Sequence, residues 1–258
     1  PESNAGDDVT ICDTDSYQLS DASAADFDIV DWETSGDGFF DNSAAVNPEY
    51  NPGPGDIAAG SVLLTLNVTG ISPCEFLVSD NMTLNIQPSP AAMAGSDDVI
   101  CETESYTLAD AIAENFNAVN WETSGDGDFD NQGSVNPVYT PGVGDISAGE
   151  VILTLNVTGI DPCNVVTSDD ITITIQPGPA AMAGADDELC STGSYSINDA
   201  SVNNTSELTW ETSGDGTFSD AGIVNPVYYP GFIDLFNGNV TLTLNAFGVA
   251  PCNFSTSD

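Results

Sequence analysis

The stretch Val62-Leu-Leu-Thr-Leu-Asn-Val-Thr69 decides the fold of this chain. Val62, Leu64, Leu66 and Val68 lie on one face of a strand here, and the opposite face carries Leu63, Thr65, Asn67 and Thr69, mostly polar residues. A side-chain period of two is typical of a β-strand with one buried face, because successive side chains of a strand point to opposite sides of the sheet. We therefore predict that this stretch is a core strand.

The strand belongs to a unit that occurs three times in the 258 residues. Three sets of residues recur at intervals of 89 positions, namely Cys12, Cys101 and Cys190; Trp32, Trp121 and Trp210; and Cys74, Cys163 and Cys252. A unit of this length is long enough to bury its own core as a small sandwich. The sequence predicts an all-β chain of three tandem antiparallel β-sandwich domains at 1–88 (repeat one), 89–177 (repeat two) and 178–258 (repeat three), the third without its last strand.

Shorter alternating patterns support the all-β prediction. Val30 and Trp32 share one face of a second strand, and Tyr17 and Leu19 share one face of a third. Helical periodicity of useful length is absent, apart from a short ambiguous stretch at 21–26.

Turns and linkers are marked by glycine and proline. Gly36-Asp37-Gly38 follows the tryptophan strand and predicts a hairpin turn, since glycine and aspartate tolerate the positive φ that such turns need. Pro88-Ser-Pro90 and Pro177-Gly-Pro179 are predicted to be short, semi-rigid linkers between the repeats. The three repeats are therefore expected to form a stiff rod.

The recurrent tryptophans allow two interpretations. Exposed tryptophans stack on sugars, but Trp32 shares its face with Val30 and occupies a position typical of a sandwich core. The core position is favoured for all three copies.

Composition excludes most enzyme chemistry. The chain contains no lysine, arginine or histidine and 41 acidic residues, for a formal charge of −41. Imidazole bases, lysine nucleophiles and cationic clamps for phosphate are therefore absent, and no basic patch exists to bind nucleic acid. A glycosidase would need one defined pair of carboxylates across a cleft, which three near-identical copies do not favour. We predict a protein that is not an enzyme and has no nucleic-acid partner.

The uncompensated charge has a physical consequence. The carboxylates repel one another and destabilise the compact state, so salt or divalent cations are expected to stabilise it. The same repulsion keeps parallel copies from associating sideways unless cations bridge them.

Six cysteines in recurrent pairs predict disulfides and an oxidising, extracellular location. The turn that holds Cys74 is expected at the end of the sandwich where the first strand enters, which favours pairing within each repeat. The predicted bonds are Cys12 to Cys74, Cys101 to Cys163, and Cys190 to Cys252. The alternative is a bond from Cys74 to Cys101 across the linker.

Acidic side chains are the candidate metal ligands, and calcium is the ion that such oxygen donors would hold. The candidates are the turn residues Asp37, Asp126 and Asp215, the alternating series Asp126, Asp128 and Asp130, and the linker-side residues Asp97, Asp98, Asp186 and Asp187. Each also has a structural interpretation as a turn, cap or bulge residue, and this interpretation is favoured. Calcium at the linker-side residues would stiffen the rod.

The chain is expected to be a window on a longer repeat protein. It has no initiator methionine or signal peptide, and Pro1 to Gly6 matches the linker region Pro90 to Gly95. No apolar run is long enough to span a bilayer, so direct membrane insertion is not expected. The strand missing from repeat three lies beyond the window or is supplied by another chain through strand addition.

Several of these motifs together resemble a known kind of repeat. They are Trp32-Glu-Thr-Ser-Gly-Asp-Gly38, Asn47-Pro48-Glu-Tyr50-Asn-Pro52-Gly53 and Gly70 with Pro73-Cys74. The chain resembles the PKD-like or immunoglobulin-like tandem repeats of giant Bacteroidota surface adhesins along its whole length. Such repeats ordinarily contain some lysine and arginine, and their absence here departs from that pattern.

The resemblance implies an extracellular, cell-surface role. The expected function is that of a spacer or stalk in a secreted adhesin or surface filament for attachment or gliding, exported by the type IX system. Its expected partners are neighbouring repeats of the same chain and other copies in a filament. The alternative function is a calcium-dependent glycan-binding module.

Overall fold

The computed structural model of the chain describes residues 1–258. The elements of repeat one are β1 (Glu2–Asn4), β2 (Val9–Cys12), β3 (Tyr17–Gln18), β4 (Ser23–Ala25), β5 (Phe27–Thr34), β6 (Phe39–Phe40), β7 (Glu49–Asn51), α1 (Pro54–Ala59), β8 (Ser61–Gly70) and β9 (Leu77–Gln87). Those of repeat two are β10 (Ala91–Met93), β11 (Asp98–Cys101), β12 (Tyr106–Thr107), β13 (Ile112–Glu114), β14 (Phe116–Thr123), β15 (Asp128–Phe129), β16 (Val138–Thr140), α2 (Val143–Ala148), β17 (Glu150–Gly159) and β18 (Val166–Gln176). Those of repeat three are β19 (Ala180–Met182), β20 (Tyr195–Ser196), β21 (Ser201–Asn203), β22 (Thr205–Thr212), β23 (Thr217–Phe218), β24 (Val227–Tyr229), α3 (Phe232–Asn237), β25 (Leu242–Gly248) and β26 (Ser255–Ser257).

Each of the first two repeats contains a large sheet of four strands, a small sheet of three strands and a two-stranded sheet, which is β1 with β4 or β10 with β13. The large sheet has the order β2-β9-β8-β5 in repeat one and β11-β18-β17-β14 in repeat two, and the small sheet has the order β3-β7-β6 or β12-β16-β15. The predicted all-β sandwich class is confirmed. One pairing departs from the predicted antiparallel arrangement, because β2 runs parallel to β9 and β11 runs parallel to β18.

The core forms where sequence alternation predicted it. Val62, Leu64, Leu66 and Val68 on β8 are all buried, and the residues between them, Leu63, Thr65 and Asn67, are not. Trp32 is buried as well, and its Nε1–H donates to the carbonyl of Val46 at 3.3 Å. The counterparts Trp121 and Trp210 are also buried, which confirms the predicted core position of the tryptophans.

The predicted hairpin at Gly36-Asp37-Gly38 is wrong. The strands on either side of it, β5 and β6, belong to different sheets and do not pair with each other. Neither glycine has a positive φ. The segment is a crossing between the two layers, and its glycines are required for a different reason, given below.

Three short helices escaped the search for helical periodicity. α1, α2 and α3 have six residues each, which is too short to show a repeating apolar face. Each ends at a glycine in the left-handed region, such as Gly60 with φ 75°. None of the helices is long and apolar enough to cross a membrane. The ambiguous stretch at 21–26 contains the strand β4.

In repeat three, the sheet that corresponds to the large sheet has three strands instead of four. Its order is β22-β25-β26, and β26 has three residues where β9 and β18 have eleven. No strand forms around Leu189, at the position that β2 and β11 occupy in the other repeats.

Candidate functional site

A buried aspartate lies at the centre of each repeat's crossing region. The Asp56 carboxylate accepts hydrogen bonds from the main-chain N–H groups of Asp37, Gly38 and Gly53 at 3.2, 3.0 and 3.1 Å. It also accepts one from the Tyr50 hydroxyl at 2.7 Å. Asp56 is 2 % exposed, so this carboxylate is held almost entirely by protein donors.

A second aspartate reciprocates these bonds. The Asp37 carboxylate accepts hydrogen bonds from the N–H groups of Gly55 and Asp56 in the first turn of α1, at 3.0 and 3.1 Å. We call the two side chains together the paired-aspartate motif. Repeats two and three contain the same motif as Asp126 with Asp145 and Asp215 with Asp234.

The motif solves a problem that the composition creates. A buried carboxylate usually has a cationic partner, but this chain has no cationic side chain. Main-chain N–H groups and a tyrosine hydroxyl are neutral donors that stabilise the charged form without a counterion. Asp56, Asp145 and Asp234 are the only buried polar residues of the chain.

The pKa of Asp145 shows which influence dominates. Burial alone would raise the pKa of this carboxyl, but hydrogen bonds from Tyr139 and from the N–H groups of Gly142, Asp126 and Gly127 outweigh burial and lower the pKa. The buried side chain is therefore a carboxylate at neutral pH.

The pKa shifts of Asp234 and of the tyrosines have the same causes, which are burial and the hydrogen bond between tyrosine and aspartate. The hydrogen bond from Tyr228 is the largest influence on Asp234 and lowers its pKa despite burial. Burial and the adjacent Asp145 raise the pKa of Tyr139 to about 12, and burial likewise raises the pKa of Tyr50 and of Tyr228. Each tyrosine hydroxyl therefore stays protonated and donates a hydrogen bond to the aspartate carboxylate.

These shifts predict loss of stability at both ends of the pH scale. A lowered carboxyl pKa contributes stability above the unfolded value of about 3.9, which is lost as the pH falls through the folded value. A raised tyrosine pKa contributes stability below about 10, which is lost as the pH rises toward about 12 at Tyr139. Urea unfolding from pH 2 to 12 measures both limits.

Tyr139→Phe is the matched variant for this pH dependence. It removes the hydroxyl that lowers the Asp145 pKa, so acid unfolding of repeat two is expected at higher pH and its alkaline loss is expected to shrink. Hydrogen exchange of β14 and β17 isolates repeat two. A pH profile unchanged by the substitution would contradict the role of the Tyr139 hydroxyl in lowering the Asp145 pKa.

The crossing segment requires glycines because side-chain atoms of Asp56 and Tyr50 approach its main chain closely. A Cβ atom on Gly36 would lie 1.5 Å from Oδ1 of Asp56, and a Cβ atom on Gly38 would lie 2.3 Å from the Tyr50 hydroxyl oxygen. No side chain fits at either place. The sequence Ser-Gly-Asp-Gly recurs because the buried aspartate needs main-chain N–H groups at close range.

The turn-region metal candidates take part in these main-chain contacts. Asp37, Asp126 and Asp215 belong to the paired-aspartate motif, and Asp130 accepts a hydrogen bond from a main-chain N–H group at 2.8 Å. Asp128 lies in β15, an exposed edge position of the small sheet. The series Asp126, Asp128 and Asp130 therefore does not form one loop, because Asp126 lies in the crossing segment and Asp128 lies in strand β15.

The linker-side candidates do not share hydrogen-bond partners. Asp97 accepts a hydrogen bond from the N–H of Thr172 at 2.9 Å, whereas Asp98 and Asp187 accept bonds from the residues that follow them. Asp186 is exposed. No three of the candidate acids have their ligand atoms within 4.8 Å of one another. Calcium binding at these residues stays a prediction.

The disulfides join different repeats. Cys12 is bonded to Cys163, and Cys101 is bonded to Cys252, each over 151 residues of sequence and with Cα atoms 4.9 Å apart. The predicted pairing within repeats is wrong, and so is the alternative bond from Cys74 to Cys101. Cys74 and Cys190 are unpaired and exposed.

The parallel first strand explains the error. Because β2 runs parallel to β9, with Cys12 beside Gln87, Cys12 lies at the end of the sandwich where the chain leaves for the next repeat. Cys74 lies before β9, at the opposite end. In repeat two the equivalent residue, Cys163, is at the entry end and thus faces Cys12 across the junction.

Other contacts fasten the first junction. The Asp13 carboxylate accepts hydrogen bonds from the main-chain N–H of Ser89 at 3.0 Å and from its hydroxyl. The Asn115 side chain of repeat two donates to the Ser89 carbonyl at 3.1 Å. The Cys163 sulfur lies 3.0 Å from the Gln87 carbonyl oxygen. The linker is thus held from both repeats, in addition to the covalent bond.

The second junction repeats this arrangement in part. The Asn204 side chain donates to the Gly178 carbonyl at 3.1 Å, and the Cys252 sulfur lies 3.1 Å from the Gln176 carbonyl oxygen. At the second junction, Glu102 and Gly178 replace Asp13 and Ser89 of the first junction. Glycine has no hydroxyl group, so the hydrogen bond from the serine hydroxyl to the carboxylate has no counterpart there. The disulfide and the asparagine contact are common to both junctions.

Comparison with known proteins identifies the fold. No protein-family model matches the chain, and no curated protein matches it. Human CDH23 EC21-23 is 13 % identical with a TM-score of 0.50, the alignment covering 100 % of this chain and 98 % of that chain. Domains 1–4 of protocadherin gamma B7 are 13 % identical with a TM-score of 0.49, over 99 % and 74 % of the two chains.

Mouse protocadherin-24 EC1-3 is a third similar structure, at 12 % identity and a TM-score of 0.42, over 99 % of this chain and 95 % of that one. The comparison with human CDH23 EC21-23, at a TM-score of 0.50, shows that the chain has the fold of tandem cadherin-like β-sandwich repeats. At these identities the likeness describes architecture only.

Proposed function

We propose that these repeats form a mechanical spacer in a secreted bacterial surface adhesin or filament, in which disulfides between successive repeats limit bending and extension. The observation that carries this proposal is the pair of bonds from Cys12 to Cys163 and from Cys101 to Cys252. A bond inside a domain stabilises that domain, whereas a bond between domains fixes how they sit relative to each other.

The charge supports an exposed, extracellular location. A protein with 41 acidic residues and no cation stays soluble and repels parallel copies of itself. The absence of lysine and arginine also removes every site for trypsin-like proteases. The resemblance to Bacteroidota adhesin repeats supports placement on a bacterial surface, with attachment or gliding as the process served.

The disulfides shorten the load-bearing path. When the two ends are pulled, force passes from Cys12 to Cys163, back through repeat two to Cys101, and on to Cys252. This path contains about 80 residues, and its full extension is about 280 Å, compared with about 900 Å for the reduced chain. The oxidised protein therefore limits extension even when its domains unfold.

Single-molecule pulling of the full chain tests the proposal. We expect a roughly threefold increase in extension after reduction, and the same increase in a Cys12→Ser, Cys101→Ser variant. The Cys74→Ser, Cys190→Ser variant is the control and should extend as the oxidised wild type does. Equal extensions with and without reductant contradict a bracing role. Specific binding on a glycan array, dependent on calcium, would favour the glycan-binding alternative.

A further inference from the structure

The short helix of repeat three, α3, carries an exposed apolar surface. Phe232, Ile233 and Phe236 are 79 %, 51 % and 81 % exposed. Side chains three and four positions apart are neighbours on a helix, so these three side chains lie next to one another. We call them the α3 patch. The two phenylalanines alone expose roughly 300 Å² of apolar surface, which is comparable to the largest apolar patch of a typical soluble monomer.

The exposure of these positions does not depend on the smaller sheet of repeat three. The corresponding positions of repeats one and two are exposed as well, although both of those repeats have four-stranded large sheets. The residues there are Pro54, Gly55 and Ala58 in repeat one and Val143, Gly144 and Ser147 in repeat two. Leu235 is not part of the patch, because its counterparts Ile57 and Ile146 pack partly against their cores. Repeat three therefore differs in residue type at positions that every repeat exposes.

Ile233 occupies a position that is crowded in the other repeats. Gly55 and Gly144 stand there, and a Cβ atom on either glycine would lie 2.9 Å from the carboxylate of Asp37 or Asp126. An isoleucine side chain fits only if the carboxylate is placed differently. Repeat three accepts this change for a side chain that half remains in water and is not part of its core.

The aspartate of repeat three is accordingly used in a different way. In repeat one, both oxygens of Asp37 accept hydrogen bonds from N–H groups of α1. Asp215 instead accepts both of its bonds at Oδ1, from the N–H groups of Ile233 at 3.0 Å and Asp234 at 3.3 Å. Its Oδ2 accepts no hydrogen bond within the chain, and Asp215 is exposed. An available carboxylate oxygen thus lies beside the α3 patch.

We propose that the α3 patch and Asp215 form a docking site for a different protein, whose docking segment presents large apolar side chains next to an arginine or a lysine. Aromatic side chains at positions i and i+4 of a helix are typical interface anchors, and a cation can pair with the available oxygen of Asp215. A second copy of the chain cannot supply that cation, because the chain has no lysine or arginine. The charge of −41 also repels like copies and anionic lipid.

The probe is a synthetic fourteen-residue amphipathic peptide of leucine and arginine, with the leucines on one face, titrated into the full chain in 0.5 M sodium chloride. At this salt concentration the Debye length is about 4 Å, so general attraction to the acidic surface is weak. We expect saturable binding of one peptide per chain. Hydrogen exchange should slow at 232–238 but not at 54–60 or 143–149, the corresponding segments of the other repeats. No saturable binding, or equal protection of all three segments, overturns the proposal.

The matched variant gives the α3 patch the residues of repeat two, as Phe232→Val, Ile233→Gly and Phe236→Ser. All three positions are exposed, and these residues occur in a folded repeat, so folding should be preserved. We expect the peptide to bind this variant at least tenfold more weakly. A peptide with its arginines replaced by glutamine should bind the wild type at least tenfold more weakly. Equal binding in the first comparison contradicts the apolar site, and equal binding in the second contradicts a cationic partner.

Sedimentation tests the competing occupant, a second copy. The Cys74→Ser, Cys190→Ser chain is used so that exposed thiols do not link copies. We expect this chain to sediment as a monomer both with the intact α3 patch and with the three substitutions. Association that rises with concentration and is lost on substitution would identify a second copy as the occupant and overturn the proposal. Binding of phosphatidylcholine vesicles by the intact patch alone would overturn it in the same way.

Discussion

Replacement of Asp145 by alanine is expected to destabilise repeat two by about 3 to 5 kcal/mol, because several buried donors lose their acceptor together. These donors are the Tyr139 hydroxyl and the N–H groups of Asp126, Gly127 and Gly142. Each unsatisfied donor costs about 1 to 3 kcal/mol, and partial entry of water keeps the total below the sum. Denaturant unfolding with hydrogen exchange of β14 and β17 measures the loss.

Two glycine variants separate this effect from general sensitivity of the loops. A Cβ atom at Gly125 would lie 1.6 Å from Oδ1 of Asp145, so Gly125→Ala should destabilise repeat two comparably. A Cβ atom at Gly133 would lie 3.5 Å from its nearest neighbour, so Gly133→Ala should change the free energy of unfolding by less than about 1 kcal/mol. A loss below about 1 kcal/mol for Asp145→Ala contradicts the central role of the buried carboxylate.

Removal of each junction disulfide is expected to have an effect of similar size. In the chain-entropy model, closing a loop of 151 residues stabilises the folded state by about 5 kcal/mol. The Cys12→Ser, Cys101→Ser variant should therefore unfold at lower temperature. It should also unfold in separate transitions for individual repeats, because nothing covalent then couples them beyond the linker. Calorimetry measures both changes.

The unpaired cysteines supply the control for this experiment. Cys74→Ser with Cys190→Ser removes two exposed thiols that form no bond in the chain. Its calorimetric profile should match that of the wild type within about 0.5 kcal/mol. Equal destabilisation by the two double variants would contradict the observed pairing.

Local sequence patterns were sufficient for the strands and the core. The alternation at Val62 to Thr69 predicted β8 and its buried face, and the position of Trp32 predicted its burial. Both follow from which side chains avoid water, and that information is local. The six-residue helix α1 was missed because so short an element carries no periodic signal.

The disulfide pairing depends on information that is not local. It requires knowing that β2 runs parallel to β9, which places Cys12 at the exit end of the sandwich. A strand pattern gives no direction of pairing, so an antiparallel first strand was assumed and the wrong partner followed. The recurrence of cysteines at a constant interval is compatible with pairing within or between repeats.

The paired-aspartate motif was visible in the sequence only as recurrence. Asp37 and Asp56 each recur in all three repeats, and the sequence alone is compatible with turn formation and with metal binding at Asp37. The signal that distinguishes the observed role is the combination of a buried aspartate, two glycines too crowded for a Cβ atom, and no available cation. Crowding at a glycine becomes visible only in three dimensions.

A non-reducing peptide map of the 258-residue chain is the most direct test of cross-braced repeats. The chain has no lysine or arginine for trypsin, so glutamyl endopeptidase and chymotrypsin are used after alkylation of free thiols. The account predicts one linked pair containing Cys12 and Cys163, another containing Cys101 and Cys252, and alkylated Cys74 and Cys190. Linked peptides that contain Cys12 with Cys74, or Cys101 with Cys163, would contradict it.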